Sequence, residues 1–464
     1  MQIPIQGRVN NVINGIIICF WLLVIPVCSN SQTIKIYDTS GVFGQTQSPV
    51  LVKESFLKKQ LLNAVEEGRL GLLATYQSKE NRKIIPVQIQ RTGRNKTNSQ
   101  LVFMMPNISA GLHEYKLIET DSVLKVRMAA SLDPESGQVI IKEDGKEVLQ
   151  YNYQTVFKKD VIRSRSEKEI KPQIGPIGGV YLKTYLEEHP TAKRDSSYTT
   201  EVYAVPRSDY INPLYGLKGE MLTNDWPADG EFHHRGIFWA WPDVEFGTER
   251  GDLYALQRIF ARPTGKIEVK SGPVFAQVVA ENLWMWEDIK PIVREHVVIR
   301  VYQAAATNRI IDITIKLEAL EDSITLATRL TNSYGGFCVR MQSSEQQKIS
   351  YFTGKAAAGP LRAWSDLNGE FNGNKSISGL TILQNQRNPE YPGTWVEYPN
   401  LAWVQPTFPS PNTRYPLRKG EPFLLRYRLI IHSGGTPDEI ISKKRWDAFN
   451  DTLTPLYSFE TTNE

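Results

Sequence analysis

Apolar and polar positions alternate most regularly in the second half of the chain. Ile311, Ile313, Ile315 and Leu317 alternate with Asp312, Thr314 and Lys316, as a strand with one buried face requires. Leu425, Tyr427, Leu429 and Ile431 repeat the pattern against Arg426 and Arg428, and residues 275–280, 297–302 and 324–330 predict further strands. The first half has shorter segments of the same kind, at 84–89, 101–105, 139–141 and 148–151. Asp144-Gly145 between the last two marks a two-residue hairpin. Residues 54–70 place Leu57, Leu61, Leu62 and Val65 along one side of a helix, although two short strands fit almost as well.

A polar run of mixed charge at 158–171 separates the halves, and Pro172, Gly175, Pro176, Gly178 and Gly179 then interrupt regular structure. Many strands and few helical stretches predict an all-β protein. The expected organisation is a small N-terminal β domain over 32–165, then a large antiparallel β-sandwich over 175–455. Its loops at 388–399 and 403–415, rich in Trp, Pro and Asn, are where ligands would be held.

Residues 1–31 have the form of an export signal. Arg8 precedes an apolar run at 16–27, too short for a membrane span, and small residues follow at Ser29 and Ser31. The expectation is cleavage after Ser31 and a periplasmic or cell-surface location. Lipid attachment at Cys28 is disfavoured because Val27 before it is not small. Cys19 and Cys28 lie inside the signal, so Cys338 alone remains in the mature chain and no internal disulfide can form. Its flanks, Phe337 and Val339, predict a buried thiol. No membrane span is expected after the signal.

Charge changes the picture by exclusion. The 54 basic and 50 acidic residues are interspersed, without the concentrated basic stripe that nucleic acid needs. Phosphate-loop and dinucleotide glycine patterns are missing, as is a Gly-x-Ser-x-Gly elbow.

Candidate chemistry concentrates at His233-His-Arg-Gly-Ile-Phe-Trp-Ala-Trp-Pro-Asp243, which holds two of the six histidines beside an arginine and two tryptophans. Nowhere else do groups that titrate near neutral pH lie so close to groups that stack on a ligand. If the stretch is a strand, His233, Arg235, Trp239 and Trp241 share one side and His234 takes the other. Adjacent strand residues point apart, so the two imidazoles would not share a metal ion without carboxylates such as Asp229, Glu231 or Glu249. No cofactor is expected, and a metal ion is the lesser possibility. Acid/base work on a sugar is the most economical reading, with a carboxylate from a distant loop, Asp366 or Glu397, opposite the His pair. His233, His234, Arg235, Asp366 and Glu397 are the expected catalytic set. Trp239, Trp241, Asp243, Arg340, Trp364, Asn388 and Trp395 are expected to line the ligand, with Trp284 and Trp286 as further stacking candidates.

The stretch from His233 to Val244 resembles the signature of the PmoA family ("methane oxygenase PmoA", domain of unknown function DUF6807). Trp364-Ser-Asp-Leu-Asn-Gly369, Asn388-Pro-Glu-Tyr-Pro-Gly-Thr-Trp395 and the closing segment Gly420 to His432 resemble three more of its motifs, and together the likeness covers about residues 180–450. The family usually carries a further histidine just before the pair, where this chain has Glu231-Phe232, so His233, His234 and Arg235 are the retained part. The resemblance implies a galactose mutarotase-like supersandwich in an exported bacterial protein associated with polysaccharide use. A methane oxygenase would need several membrane spans, which the chain lacks after its signal. The expected function is acid/base chemistry on a carbohydrate or other small polar ligand, by hydrolysis, elimination or epimerisation. The alternatives are a non-catalytic glycan-binding protein and, more remotely, a metal-dependent oxygenase.

Overall fold

The computed structural model describes residues 32–53, 57, 59–75, 83–92, 98–156, 206–227, 233–351, 363–371, 375–450 and 456–461. The expected export signal (1–31) and the expected domain boundary (165–175) lie outside them, as do Asp229 and Glu231. Among the described residues no helix is long and apolar enough to cross a membrane.

The protein is all-β, built on two eight-stranded antiparallel sheets packed face to face. The front sheet runs in the order Thr394–Tyr398, Trp403–Thr407, Gly336–Arg340, Ile237–Ala240, Tyr210–Leu214, Lys146–Asn152, Gln138–Glu143 and Met128–Asp133. The back sheet runs Ile259–Lys270, Phe275–Trp286, Lys290–Tyr302, Asn308–Ala319, Phe423–Ser433, Ile377–Gln384, Trp364–Glu370 and Glu345–Tyr351. The alternation seen in sequence sorts their faces. Ile311, Ile313, Ile315, Leu425, Leu429 and Ile431 point inward and meet Ile237, Trp239, Phe337, Val339 and Val404 of the front sheet in one core. Phe337 stacks on Tyr427 across the sandwich at 4.2 Å between centroids.

The described residues of 32–119 carry two smaller sheets and two helices, Val42–Thr46 and Lys59–Glu66, the second inside the span where the sequence left helix and strands open. The Asp144-Gly145 turn forms as expected, with both residues at positive φ (46° and 85°), as a primed hairpin turn demands. The hairpin itself belongs to the larger architecture. Lys146–Asn152 pairs with Tyr210–Leu214, so residues 128–152 extend the front sheet.

Two features lie beyond the sequence expectation. Helix Glu439–Asn450 packs Trp446 against Trp364, Leu383 and Ile430 on the outer face of the back sheet. Strand Leu456–Thr461 then pairs with Gln32–Asp38, which ties the end of the chain into the N-terminal sheet.

Candidate functional site

The His233–Asp243 stretch is not one continuous strand. Strand structure begins at Ile237, His233 sits in a turn, and Gly236 takes φ +61°. A Cβ at Gly236 would come within 2.2 Å of the Ile211 carbonyl oxygen and 2.9 Å of the Asn212 Cβ. Gly236→Ala is therefore expected to cost about 2 to 4 kcal/mol, summing left-handed backbone strain and the clash. A urea titration checks it, and an unchanged midpoint would refute the close approach.

The break at Gly236 overturns the strand alternation expected for the histidines. The His233 and His234 rings lie side by side, 4.3 Å between centroids. Both face Tyr254, at 5.7 and 6.1 Å, and His234 also meets the edge of Trp403 at 4.6 Å. This cluster covers the outer face of the front sheet, where parity places Phe238, Cys338, Arg340, Trp403 and Gln405. Arg340, expected from the sequence to line the ligand, shares this face and its charge acts on His234.

Arg235 does not reach a ligand pocket. It is 1% exposed and stacks 3.5 Å over the Trp226 ring and 4.5 Å from Tyr210. Its Nε pairs with Asp225, and its Nη2 donates to the Tyr210 hydroxyl.

The two expected carboxylates do not converge on the imidazoles. Asp366 lies on the outer face of the back sheet, two sheet layers away. There it accepts from Thr381 Oγ1 (2.6 Å) and Asn368 Nδ2 (2.7 Å) and contacts His432 Nε2 (2.8 Å), all buried. Glu397 is exposed at the sandwich edge and bonds Tyr351. The sheet register separates them: Asp366 faces out from the opposite sheet, and Glu397, paired with the inward Val404, sits at the open edge of the sandwich.

Most of the expected stacking residues are core. Trp239 stacks parallel to Phe337 inside the sandwich, and Trp241 donates to the Phe408 carbonyl (2.8 Å) while packing on Trp284. Trp284 and Trp286 donate to Glu295 (2.9 Å) and Glu249 (3.0 Å). Trp364 packs beneath the C-terminal helix, and Trp395 is buried at the sandwich edge beside Tyr351. A large ring gains most by leaving water, and these indoles do so. Asn388 clamps a strand, accepting from Arg426 N (2.8 Å) and donating to Arg426 O (2.9 Å). Asp243 accepts a bond from Arg414 and, with Arg250 and Arg329, lines a cavity of about 280 Å³.

A carboxyl group outside the expected catalytic set, Asp252, lies shortly after the His233–Asp243 stretch. Asp252 opens a short loop closed by Asp252 N→Gln257 O (2.8 Å) and Gln257 N→Asp252 O (2.7 Å). Its carboxylate caps Ala255 N at 2.8 Å, and the loop projects Tyr254 over the front sheet. Arg207 fastens the loop by donating to the Leu253 and Tyr254 carbonyls while stacking 4.5 Å over Phe238. Tyr254 donates to Cys338 Sγ at 3.2 Å, and that thiol is buried, as its flanks predicted.

Burial controls the electrostatics. It pushes Asp252 up to about 7, against the opposing pull of the Ala255 amide and of Arg329 and Arg207. It pushes His234 down to about 3, with the Arg340 and Arg207 charges adding to the effect. His233 keeps part of its surface exposed, yet dense packing and then His234 hold its pKa well below the usual imidazole range. Both rings are neutral at pH 7.

The same face holds buried polar atoms without a protein partner: His234 Nδ1, Trp403 Nε1 and both side-chain amide atoms of Gln405. Each such atom costs about 1–3 kcal/mol unless a ligand or water satisfies it. Arg329 connects this face to the 280 Å³ cavity, since it lines the cavity, donates to Tyr334 Oη (3.0 Å) and acts on both Asp252 and His233. Among the described residues no three His, Cys, Asp or Glu side chains gather as metal ligands.

Solved structures resemble the chain only distantly. A kojibiose phosphorylase from the human microbiome is 10% identical with a TM-score of 0.22, over 46% of this chain and 25% of that one. A GH36 α-galactosidase from Geobacillus stearothermophilus is 10% identical with a TM-score of 0.26, over 66% of this chain and 41% of that one. The chain thus spans less than half the length of either protein. No curated protein matches it. A family model does match residues 177–445, more than half of the 464 residues, and the chain accordingly belongs to the family of unknown function DUF6807.

Proposed function

We propose that this chain is a carbohydrate-active protein whose site is the outer face of the front sheet around Asp252, His233, His234, Arg340 and Trp403. One observation carries the reading. Arg329 lines a cavity of about 280 Å³ with Arg250 and Arg414, and it also acts on Asp252, a carboxyl pushed up to about 7, on His233 of the imidazole pair, and on the Tyr254–Tyr334–Trp403 aromatic cluster (Tyr254–Tyr334 5.0 Å, Tyr334–Trp403 5.4 Å) through the Tyr334 hydroxyl. In its protonated form Asp252 can deliver a proton to a sugar oxygen, while a neutral imidazole accepts one and Arg329 holds a hydroxyl or carboxylate. This division of roles serves hydrolysis, elimination or epimerisation. The motif likeness to the PmoA family and the apolar run at 16–27 support an exported member acting on sugars.

A screen of oligosaccharides with wild type and Asp252→Asn tests the proposal. Turnover should fall by about 10²- to 10⁴-fold while affinity stays within a few fold, the usual share of one general acid. Wild-type turnover should also decline above pH about 7 as Asp252 loses its proton. Undiminished turnover in Asp252→Asn would end the assignment.

The near-complete burial of His234, 2% exposed, favours a second reading, a glycan-binding protein without turnover. Trp403→Ala would then abolish affinity, and no sugar in the screen would yield product.

A further inference from the structure

A further concentration of cations lies on the outer face of the back sheet, where the N-terminal unit and the C-terminal helix meet it. A cavity of about 430 Å³ there is lined by Lys53, Arg300, Arg387, Arg426 and Arg428, with Asp312 as the one carboxylate among the described residues that line it. That carboxylate is already engaged. Arg428 donates to it through Nε (2.6 Å) and Nη2 (2.9 Å), and the Tyr302 hydroxyl donates at 3.2 Å. Arg300 donates to the neutral Gln277 Oε1 at 3.1 and 2.6 Å and lies 5.0 Å over the Phe275 ring.

Arg387 and Arg426 are held close enough to repel. The Asn388 side chain bonds both backbone groups of Arg426, so the loop carrying Arg387 is fixed beside the Arg426 strand. The loop is fastened on its other side to the helix end, through Gln386 Nε2→Asn450 O (3.0 Å). Burial and the neighbouring Arg387 both disfavour the Arg426 cation. Like charges held together on a rigid scaffold, facing a cavity of monosaccharide-to-disaccharide size, are what an oxyanion site presents, because guanidinium forks match tetrahedral oxyanions.

We propose that this cleft binds a tetrahedral oxyanion, sulfate or phosphate, either free or as an ester on a glycan, through Arg387, Arg426 and Arg300. The site is separate from the imidazole cluster, which covers the outer face of the other sheet.

The test uses the full chain and follows thermal unfolding and calorimetric titration with sodium sulfate, sodium phosphate, a sulfated disaccharide and its unsulfated parent, all at ionic strength matched with chloride. Sulfate or phosphate should raise the unfolding midpoint where chloride does not. Arg387→Gln and Arg426→Gln should each weaken binding at least tenfold. Without ligand, each variant should be as stable as wild type or more so, since a repulsion is removed, whereas a merely structural arginine would lose stability. Arg262→Gln, which breaks an exposed pair with Asp288, should bind as wild type does. A sulfated disaccharide that binds more tightly than sulfate identifies a glycan ester as the source, and equal affinities identify the free anion. Equal responses to chloride and sulfate, or unaltered affinity in the Arg387→Gln, Arg426→Gln double variant, would overturn the proposal.

Discussion

Replacing Asp225 with alanine is expected to lower the free energy of unfolding by about 3–5 kcal/mol, the range for breaking a buried ion pair from one side. The size follows from what would be left behind. Arg235 is 1% exposed, lies between the Trp226 and Tyr210 rings, and has Asp225 as its anionic partner, so Asp225→Ala strands a cation away from water. An exposed pair such as Arg262–Asp288 (2.8 Å) should cost less than about 1 kcal/mol when broken the same way. Arg235→Met in the Asp225→Ala background should recover most of the loss, because an apolar chain of similar length fills the slot without needing a counter-charge. Urea denaturation of the two single variants and the double variant gives the coupling. A loss under about 1 kcal/mol in Asp225→Ala would show that solvent reaches Arg235.

Acid should unfold this protein chiefly through the imidazole pair. His234 ordinarily titrates near 6.5 and is held near 3 by burial and by Arg340 and Arg207. A base whose folded pKa is depressed takes up its proton first in the unfolded chain. Stability from this group is therefore complete above pH about 6.5 and lost as pH falls from there towards 3. At about 1.4 kcal/mol per pH unit the loss approaches about 5 kcal/mol, a large part of a typical 5–15 kcal/mol total. His233 is shifted in the same direction and adds to it. His234→Gln, which cannot take a proton, should be less stable than wild type at pH 7 but lose less between pH 6.5 and 4. Denaturation midpoints at several pH values decide the matter, and identical slopes in the two proteins would refute it.

Much of the architecture is legible from residue pattern alone. The alternation at Ile311–Leu317 and Leu425–Ile431 specifies strands with one buried face, and Asp144-Gly145 specifies a primed turn, because both are local consequences of backbone geometry. The His233-His234 pair is likewise visible in the chain, but the rings it meets are those of Tyr254 and Trp403, not the expected Trp239 and Trp241.

What the sequence could not convey is which face each residue takes and what lies across from it. Gly236 at positive φ interrupts the strand, so side-chain parity fails at the histidines and two neighbours that should diverge lie side by side. Asp366 and Glu397 carry the right chemistry, but the register of the back sheet and the edge of the front sheet place them on other surfaces. Asp252, unremarkable as a loop acid, is buried in a loop that Arg207 draws over the sheet, and Arg207 and Arg329 act on it as they do on His233. The tryptophans, suited equally to a sugar or to a core, are mostly committed to the core by the area they remove from water. Local pattern determines the elements because it acts through neighbouring residues. The site depends on contacts between distant segments, and only the packing of the two sheets decides those.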